Sequence, residues 1–198
     1  MAITTDQIRD LRQRTGAGIL EVKKALEETG GDADAAMQLL RERGLAKAAK
    51  KATRTASDGR VVSYIHGDPG RIGVLLELNC ETDFVARTPG FRELAQHLAM
   101  QIAAANPEWV AEADVPQDAI ARERATLAAQ LADEPKPPQI IEKMVEGRLN
   151  KWLDESVLLR QPFIRDNDVT IGSMIQQAIA EMGENIVVRR FARFAIGE

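Results

Sequence analysis

The stretch Val61-Val62-Ser63-Tyr64-Ile65-His66-Gly67-Asp68-Pro69-Gly70-Arg71-Ile72-Gly73-Val74-Leu75-Leu76-Glu77-Leu78-Asn79-Cys80 decides the fold. Val61, Ser63 and Ile65 alternate with Val62, Tyr64 and His66, the period of two that a strand imposes. Gly67-Asp68-Pro69-Gly70 supplies a turn, and Ile72, Val74, Leu75, Leu76 and Leu78 follow as a near-continuous apolar run. The spacing predicts a β-hairpin whose second strand is central and largely buried.

Upstream of this hairpin the period changes to that of helices. Thr4 or Thr5 can cap a first helix carrying Ile8 and Leu11, and Gly16-Ala17-Gly18 breaks it. A second helix with Ile19, Leu20, Val22, Ala25 and Leu26 ends at Gly30-Gly31. Asp32 caps a third, with Ala35, Ala36, Leu39 and Leu40 as its stripe and Gly44 as its stop. The Ala- and Lys-rich residues 45–58 read as a solvated connecting helix ended by Ser57-Asp58-Gly59. The expected domains are therefore a three-helix unit over 1–44, a basic helical linker over 45–58 and a core over 59–198.

Downstream, helices are expected from Pro89 to about Ala105, Pro116 to Leu131, Pro138 to about Asp154, and from Thr170 onward. Residues 185–194 alternate again and predict a closing strand. Hairpin plus closing strand make a three-stranded antiparallel sheet packed with helices, an α+β class.

Composition narrows the function. The 198 residues carry 26 basic and 30 acidic side chains, a net charge of −4, so broad phosphate-backbone binding is disfavoured. Eight aromatic residues are few for a surface that stacks bases. With 44% hydrophobic residues the chain can bury a core and is not disordered throughout. Its single cysteine, Cys80, excludes an internal disulfide, though a Cys80 link between copies stays open; one cysteine and two histidines leave no thiolate- or imidazole-rich metal site. No apolar run approaches the roughly 18–20 residues of a membrane span. The start, Met1 to Asp6, lacks the basic-then-apolar layout of a signal peptide, so a cytoplasmic protein is expected.

No catalytic constellation emerges, and an enzyme is not expected. Thr15-Gly16-Ala17-Gly18 follows a helix and lacks a Gly-Lys-Ser/Thr ending, so it reads as a tight turn. Asp166-Asn167-Asp168 lacks the glycine and late glutamate of a calcium loop and reads as a polar turn. His66 falls at the hairpin end, and His97 reads as a packing histidine. Lys47, Lys50, Lys51 and Arg54 read as a solvated helical face, with nucleic-acid contact the competing use.

One segment resists such plain readings: Asn79-Cys80-Glu81-Thr82-Asp83-Phe84-Val85-Ala86-Arg87. A phenylalanine follows the most hydrophobic strand where polar residues are due. Either Phe84 folds back on the sheet, with Thr82 or Asp83 capping the next helix, or it is an exposed anchor for a partner's pocket.

Thr82-Asp83-Phe84-Val85-Ala86 after Asn79-Cys80 closely resembles the signature of the bacterial elongation factor Ts family. Leu11-Arg12-Gln13-Arg14-Thr15-Gly16-Ala17-Gly18 with Lys23-Lys24-Ala25-Leu26 is similar to that family's N-terminal domain, of ubiquitin-associated type. Ala46 to Ala52 resembles its linker, and Lys143-Met144-Val145-Glu146-Gly147-Arg148 and Gln161-Pro162-Phe163 resemble its core. The resemblance implies a nucleotide exchange factor for elongation factor Tu, with no cofactor. It implies that Asp83 and Phe84, flanked by Thr82 and Val85, push between helices of the partner's G domain near its magnesium. Met182-Gly183-Glu184 is similar to a second loop that touches that domain, so Met182 and Gly183 join the expected surface. His66 resembles the position that reaches the partner's third domain, and Arg12, Ile19 and Leu20 the surface that docks on a G-domain helix. Longer members carry two related core subdomains; this layout resembles the one-subdomain type, which implies a homodimer. Direct nucleic-acid or membrane contact is not expected. The competing reading is a binding module that uses the Lys47–Arg54 patch on RNA or protein, with salt-sensitive binding.

Overall fold

The computed structural model describes residues 3–198; Met1 and Ala2, the first residues of the expected 1–44 helical unit and of the stretch read for a signal peptide, lie outside the described residues. Two compact units result. The first runs to Val61 and adds Glu77–Ala95 and Met174–Val187; the second comprises Val62–Leu76, Gln96–Ser173 and Val188–Glu198.

The first unit opens with α1 (Thr5–Thr15), α2 (Ile19–Glu28) and α3 (Ala33–Lys51). Thr4 caps α1 reciprocally: its hydroxyl accepts from the Gln7 amide, and the Gln7 side chain accepts from the Thr4 amide. Asp32 caps α3 by accepting from the amides of Asp34 and Ala35. Leu11, Val22, Ala25, Leu26, Ala36 and Leu40 close a small core between the three helices, as their spacing predicts. Helix α3 does not stop at Gly44, as expected, but continues to Lys51. A mid-helix glycine costs about 1 kcal/mol relative to alanine. The Ala-Lys run beyond it favours continuation, and Gly44 sits where an added Cβ would lie 3.5 Å from the Ala180 methyl.

Strands β1 (Asp58–His66), β2 (Ile72–Cys80) and, at the end of the chain, β5 (Val187–Ala195) form a three-stranded antiparallel sheet in the order β1-β2-β5. The hairpin and its central second strand are as predicted. Burial is one-sided, however. Val74, Leu76, Leu78 and Cys80 are buried while Leu75 is half exposed, because only one face of this antiparallel sheet is covered. After β2 come a single turn, α4 (Asp83–Ala86), and then α5 (Pro89–Ala105).

In the second unit α6 (Gln117–Gln130) and α7 (Pro138–Ser156) pack through Leu127, Leu131, Val145 and Leu149. Trp109 and Trp152 meet edge to face at 5.5 Å. Asp166-Asn167-Asp168, expected as a turn, instead opens β4 (Asp166–Thr170), which pairs with the two-residue β3 (Pro162–Phe163); the turn is Ile164-Arg165. Buried Gln101 holds that turn, accepting from the Ile164 amide at 2.9 Å and donating to the Gln161 side chain at 3.0 Å and the Pro162 carbonyl at 3.2 Å. Thr170 then caps α8 (Ile171–Met182), its hydroxyl accepting from the Ser173 amide. The Arg193 Nε donates to the Ala103 carbonyl, which puts α5 on the face of β5 that Arg193 occupies and leaves Phe194 on the other.

Candidate functional site

The end of β2 determines the site. Thr82 is extended (φ −135°, ψ 156°) and stands at the N-cap of α4 without capping it through its side chain. Of the α4 side chains, Ala86 is buried and Phe84 is 80% exposed. Phe84 therefore does not fold back on the sheet. Asp83 is half-buried, and its carboxylate forms an ion pair with the Arg87 guanidinium at 2.7 Å. Val85 is half-buried, and its carbonyl accepts from the Thr88 hydroxyl at 2.8 Å.

A second loop braces this turn. Helix α8 ends at Met182, Gly183 turns with φ +81°, and Glu184 reaches back. One Glu184 carboxylate oxygen accepts from the backbone amides of Glu81 and Thr82 at 3.0 Å each. The other accepts from the Thr82 hydroxyl at 2.6 Å. In return the Glu81 carboxylate accepts from the Asn185 amide at 2.7 Å. The end of α3 joins the same cluster: the Lys51 ammonium donates to the Gly183 carbonyl at 2.5 Å, and the buried Asn185 amide group donates to the Arg54 carbonyl at 2.8 Å. Three segments remote in sequence thus form one hydrogen-bonded body within the first unit. Sequence reading missed Lys51, Glu81, Glu184 and Asn185 as its parts. An acidic residue directly after a glycine that ends a helix was the available signal, but it does not name its partner.

Cys80 is fully buried, and its thiol donates to the Thr82 carbonyl at 3.1 Å. Burial pushes this thiol up from its ordinary value, with the charges of Glu184 and Asp58 adding to the effect. A protonated, enclosed thiol is a poor nucleophile, and this burial also closes the Cys80-to-Cys80 link left open above.

The N-terminal part of the expected surface belongs to the same unit. Gly16 turns with φ +67°, and any Cβ added there would run into the Glu181 side chain, one residue before Met182. Beyond it Ile19 and Leu20 begin α2, with Leu20 74% exposed. Arg12 is exposed on α1, Gly183 is exposed, and Met182 is half-buried. Arg12, Ile19, Leu20, Thr82, Asp83, Phe84, Val85, Met182 and Gly183 all lie in the first unit. His66 lies in the second unit, exposed at the hairpin end, with its Nδ1 2.9 Å from the Tyr64 hydroxyl.

In the basic patch Lys47, Lys50 and Arg54 are exposed, as a solvated face requires, but Lys47 pairs with Glu21, Lys51 donates to the Gly183 carbonyl, and Arg54 lies 3.6 Å from Glu81. His97 packs on Phe163, ring centroids 5.3 Å apart. Among the described residues, no three metal-ligating side chains are grouped, and no helix is long and apolar enough to cross a membrane.

Fold and site together define an α+β protein with a three-helix N-terminus and a braced turn that presents an exposed phenylalanine. The family model described as Elongation factor TS matches residues 34–198. The chain is 55% identical over 196 residues to the elongation factor Ts of Carboxydothermus hydrogenoformans, covering 99% of this chain and 90% of that one. It is 56% identical over 196 residues to that of Syntrophomonas wolfei, covering 99% and 91%. With that of Herpetosiphon aurantiacus it shares 54% identity over 198 residues, covering 100% and 99%. The chain belongs to the elongation factor Ts family.

Proposed function

We propose that this chain is a guanine nucleotide exchange factor for elongation factor Tu and that Asp83 and Phe84 act as its wedge. The observation that carries the wedge is the 80% exposure of Phe84 on a turn whose base is held by Glu184, in a loop that Lys51 ties down in turn. An exposed aromatic on a fixed support loses little freedom on docking and makes a good anchor. Guanosine diphosphate is held by a phosphate-binding loop and by Mg²⁺ that offsets phosphate charge. A wedge that shifts the helices around the metal removes that compensation, and the nucleotide leaves faster. No side chain of the factor forms or breaks a covalent bond in this scheme.

Linkage fixes the rest. Whatever factor the chain costs the nucleotide in affinity, the nucleotide costs the chain. The nucleotide-free partner is bound best, and excess nucleotide releases the factor. Met182 and Gly183 extend the contact beside Phe84, and Arg12, Ile19 and Leu20 add a docking surface on the three-helix segment. His66 contacts a different part of the partner. In this scheme residues 1–44 dock, 45–58 connect and 59–198 exchange, in the cytoplasm where translation proceeds.

A homodimer belongs to the same proposal. Ile65, Leu75, Phe194 and Ile196 are exposed on the second unit. Ile65 lies against Gly73 on the face of the sheet that carries Leu75, opposite the buried Val74 and Leu76. A second copy covering this apolar face would form an isologous interface.

The test is release of a fluorescent guanosine diphosphate analogue from elongation factor Tu, with and without the chain. Acceleration by wild type that Phe84→Ala largely abolishes supports both parts. Acceleration that survives the substitution moves the wedge elsewhere, and none at any concentration rejects the exchange reading.

A further inference from the structure

The Glu184 carboxylate grips the base of the Phe84 turn. Its two oxygens collect three donors: the Glu81 and Thr82 amides at 3.0 Å and the Thr82 hydroxyl at 2.6 Å. All three belong to the two residues that precede Asp83, and none belongs to the loop after α8 that carries Glu184. The carboxylate is itself fixed from behind. Gly183 is held by Lys51, and Asn185 is held by Glu81, Arg54 and Ala52. Helix α4 has only one turn and no side-chain cap of its own, so its orientation has few local constraints.

We infer that Glu184 is a positioning residue: it pre-orients the Asp83–Phe84 turn for insertion into the partner, without itself touching the partner. This rests on the exchange reading above. With the clamp intact, nearly every molecule presents Phe84 in the inserting geometry. Without it that geometry is one of several, and the apparent affinity falls by the competent fraction. The maximal exchange rate stays the same, because a bound turn is an inserted turn. The inference also makes a chemical distinction. Glutamine is the same shape as glutamate and can keep all three contacts. Its carbonyl oxygen accepts both amides, and its NH₂ donates to the Thr82 hydroxyl, which accepts as readily as it donates. A clamp therefore tolerates Glu184→Gln, whereas a carboxylate that met a cation on the partner would not.

The experiment measures exchange against concentration of the full chain for wild type, Glu184→Gln, Glu184→Ala and Thr82→Val, together with amide hydrogen exchange of the chain alone. Glu184→Ala is expected to raise the half-saturating concentration roughly tenfold, the worth of a single hydrogen bond to a charged group, with the plateau unchanged. Thr82→Val shifts it in the same direction while keeping the β-branched extended backbone. Glu184→Gln is expected to stay within about threefold of wild type, since its neutral bonds have about half the strength of charged ones. In the chain alone, the Glu81 and Thr82 amides should be protected in wild type and Glu184→Gln and lose protection in Glu184→Ala. Wild-type curves for Glu184→Ala and Thr82→Val would overturn the clamp while leaving exchange intact. Equal loss in Glu184→Gln and Glu184→Ala would also overturn it, assigning Glu184 to direct charge contact. Should Glu184→Ala fail to fold, the Thr82→Val and Glu184→Gln curves still decide. If wild type itself gives no exchange, the exchange reading fails, and amide protection judges the clamp separately.

Discussion

Glu184 and Thr82 stand 102 positions apart, yet the hydroxyl of Thr82 donates to a Glu184 carboxylate oxygen at 2.6 Å. The contact joins the loop after α8 to the turn that carries Phe84, so two stretches of the candidate partner surface share one support. Disturbing either end should be felt at the other, while changes at the exposed tip should be felt by the partner alone.

Phe84→Ala tests the tip. Its ring is almost fully in water, so truncation should change unfolding free energy by no more than about 0.5 kcal/mol, the range of ordinary surface substitutions. Phe91→Ala, which empties a fully buried site, should cost about 3–5 kcal/mol. Urea denaturation of the two variants side by side checks this. Comparable losses would show that Phe84 supports the core.

Gly16→Ala tests the close approach between the α1–α2 turn and α8. At φ +67° an alanine is strained by about 1–2 kcal/mol. The new methyl also meets the Glu181 side chain, which must swing away from the residue before Met182. Adding Glu181→Ala should relieve the collision but not the backbone strain, so the double variant should recover only part of the loss. An unchanged denaturation midpoint in Gly16→Ala would contradict this geometry.

Cys80 gives a pH prediction with a definite sign. Burial, with Glu184 and Asp58 adding, raises the thiol above its ordinary value of 9.0 in the folded chain. The native state then holds a proton that the unfolded chain releases, so this contribution is complete below the unfolded value and is lost as pH climbs beyond it. Denaturation midpoints measured from about pH 8 to about pH 10 should fall more steeply for wild type than for Cys80→Ala. Parallel curves would mean the thiol ionises equally well in both states.

Phe194→Lys tests the outer sheet face. Phe194 is 69% exposed, so the substitution should leave the fold intact and convert a species of twice 21.8 kDa into one of 21.8 kDa by sedimentation. A wild-type chain already sedimenting at 21.8 kDa would remove the homodimer from the proposal.

Most of the architecture was readable because it depends on local periodicity. The alternation of residues 61–66, the apolar run from Ile72 and the capped stripes around Leu11, Val22 and Leu40 each report a buried face directly. What failed was decided by contacts distant in sequence. Gly44 reads as a stop until the methyl of Ala180 is seen beside it, and Asp166 reads as a turn until Phe163 pairs with it. Phe84 stood out in the sequence but could not be placed, since sequence does not say whether a lone aromatic turns inward; the structure leaves it exposed. Lys51 looks like an ordinary solvated charge and Glu184 like one more residue of the Met182–Glu184 loop, and only the tertiary fold brings the first to the Gly183 carbonyl and the second to the Thr82 amide.

The ion pair between Asp83 and Arg87 gives the acid a partner within its own turn. In the free chain one Asp83 carboxylate oxygen lies 2.7 Å from the Arg87 guanidinium, which leaves the other oxygen able to accept from a further donor. An exposed pair of this kind is worth about 0–1 kcal/mol, so releasing Arg87 costs the turn little. Under the proposed exchange reading, Arg87 gives Asp83 a partner to return to after each release, which favours one copy serving many partners in succession.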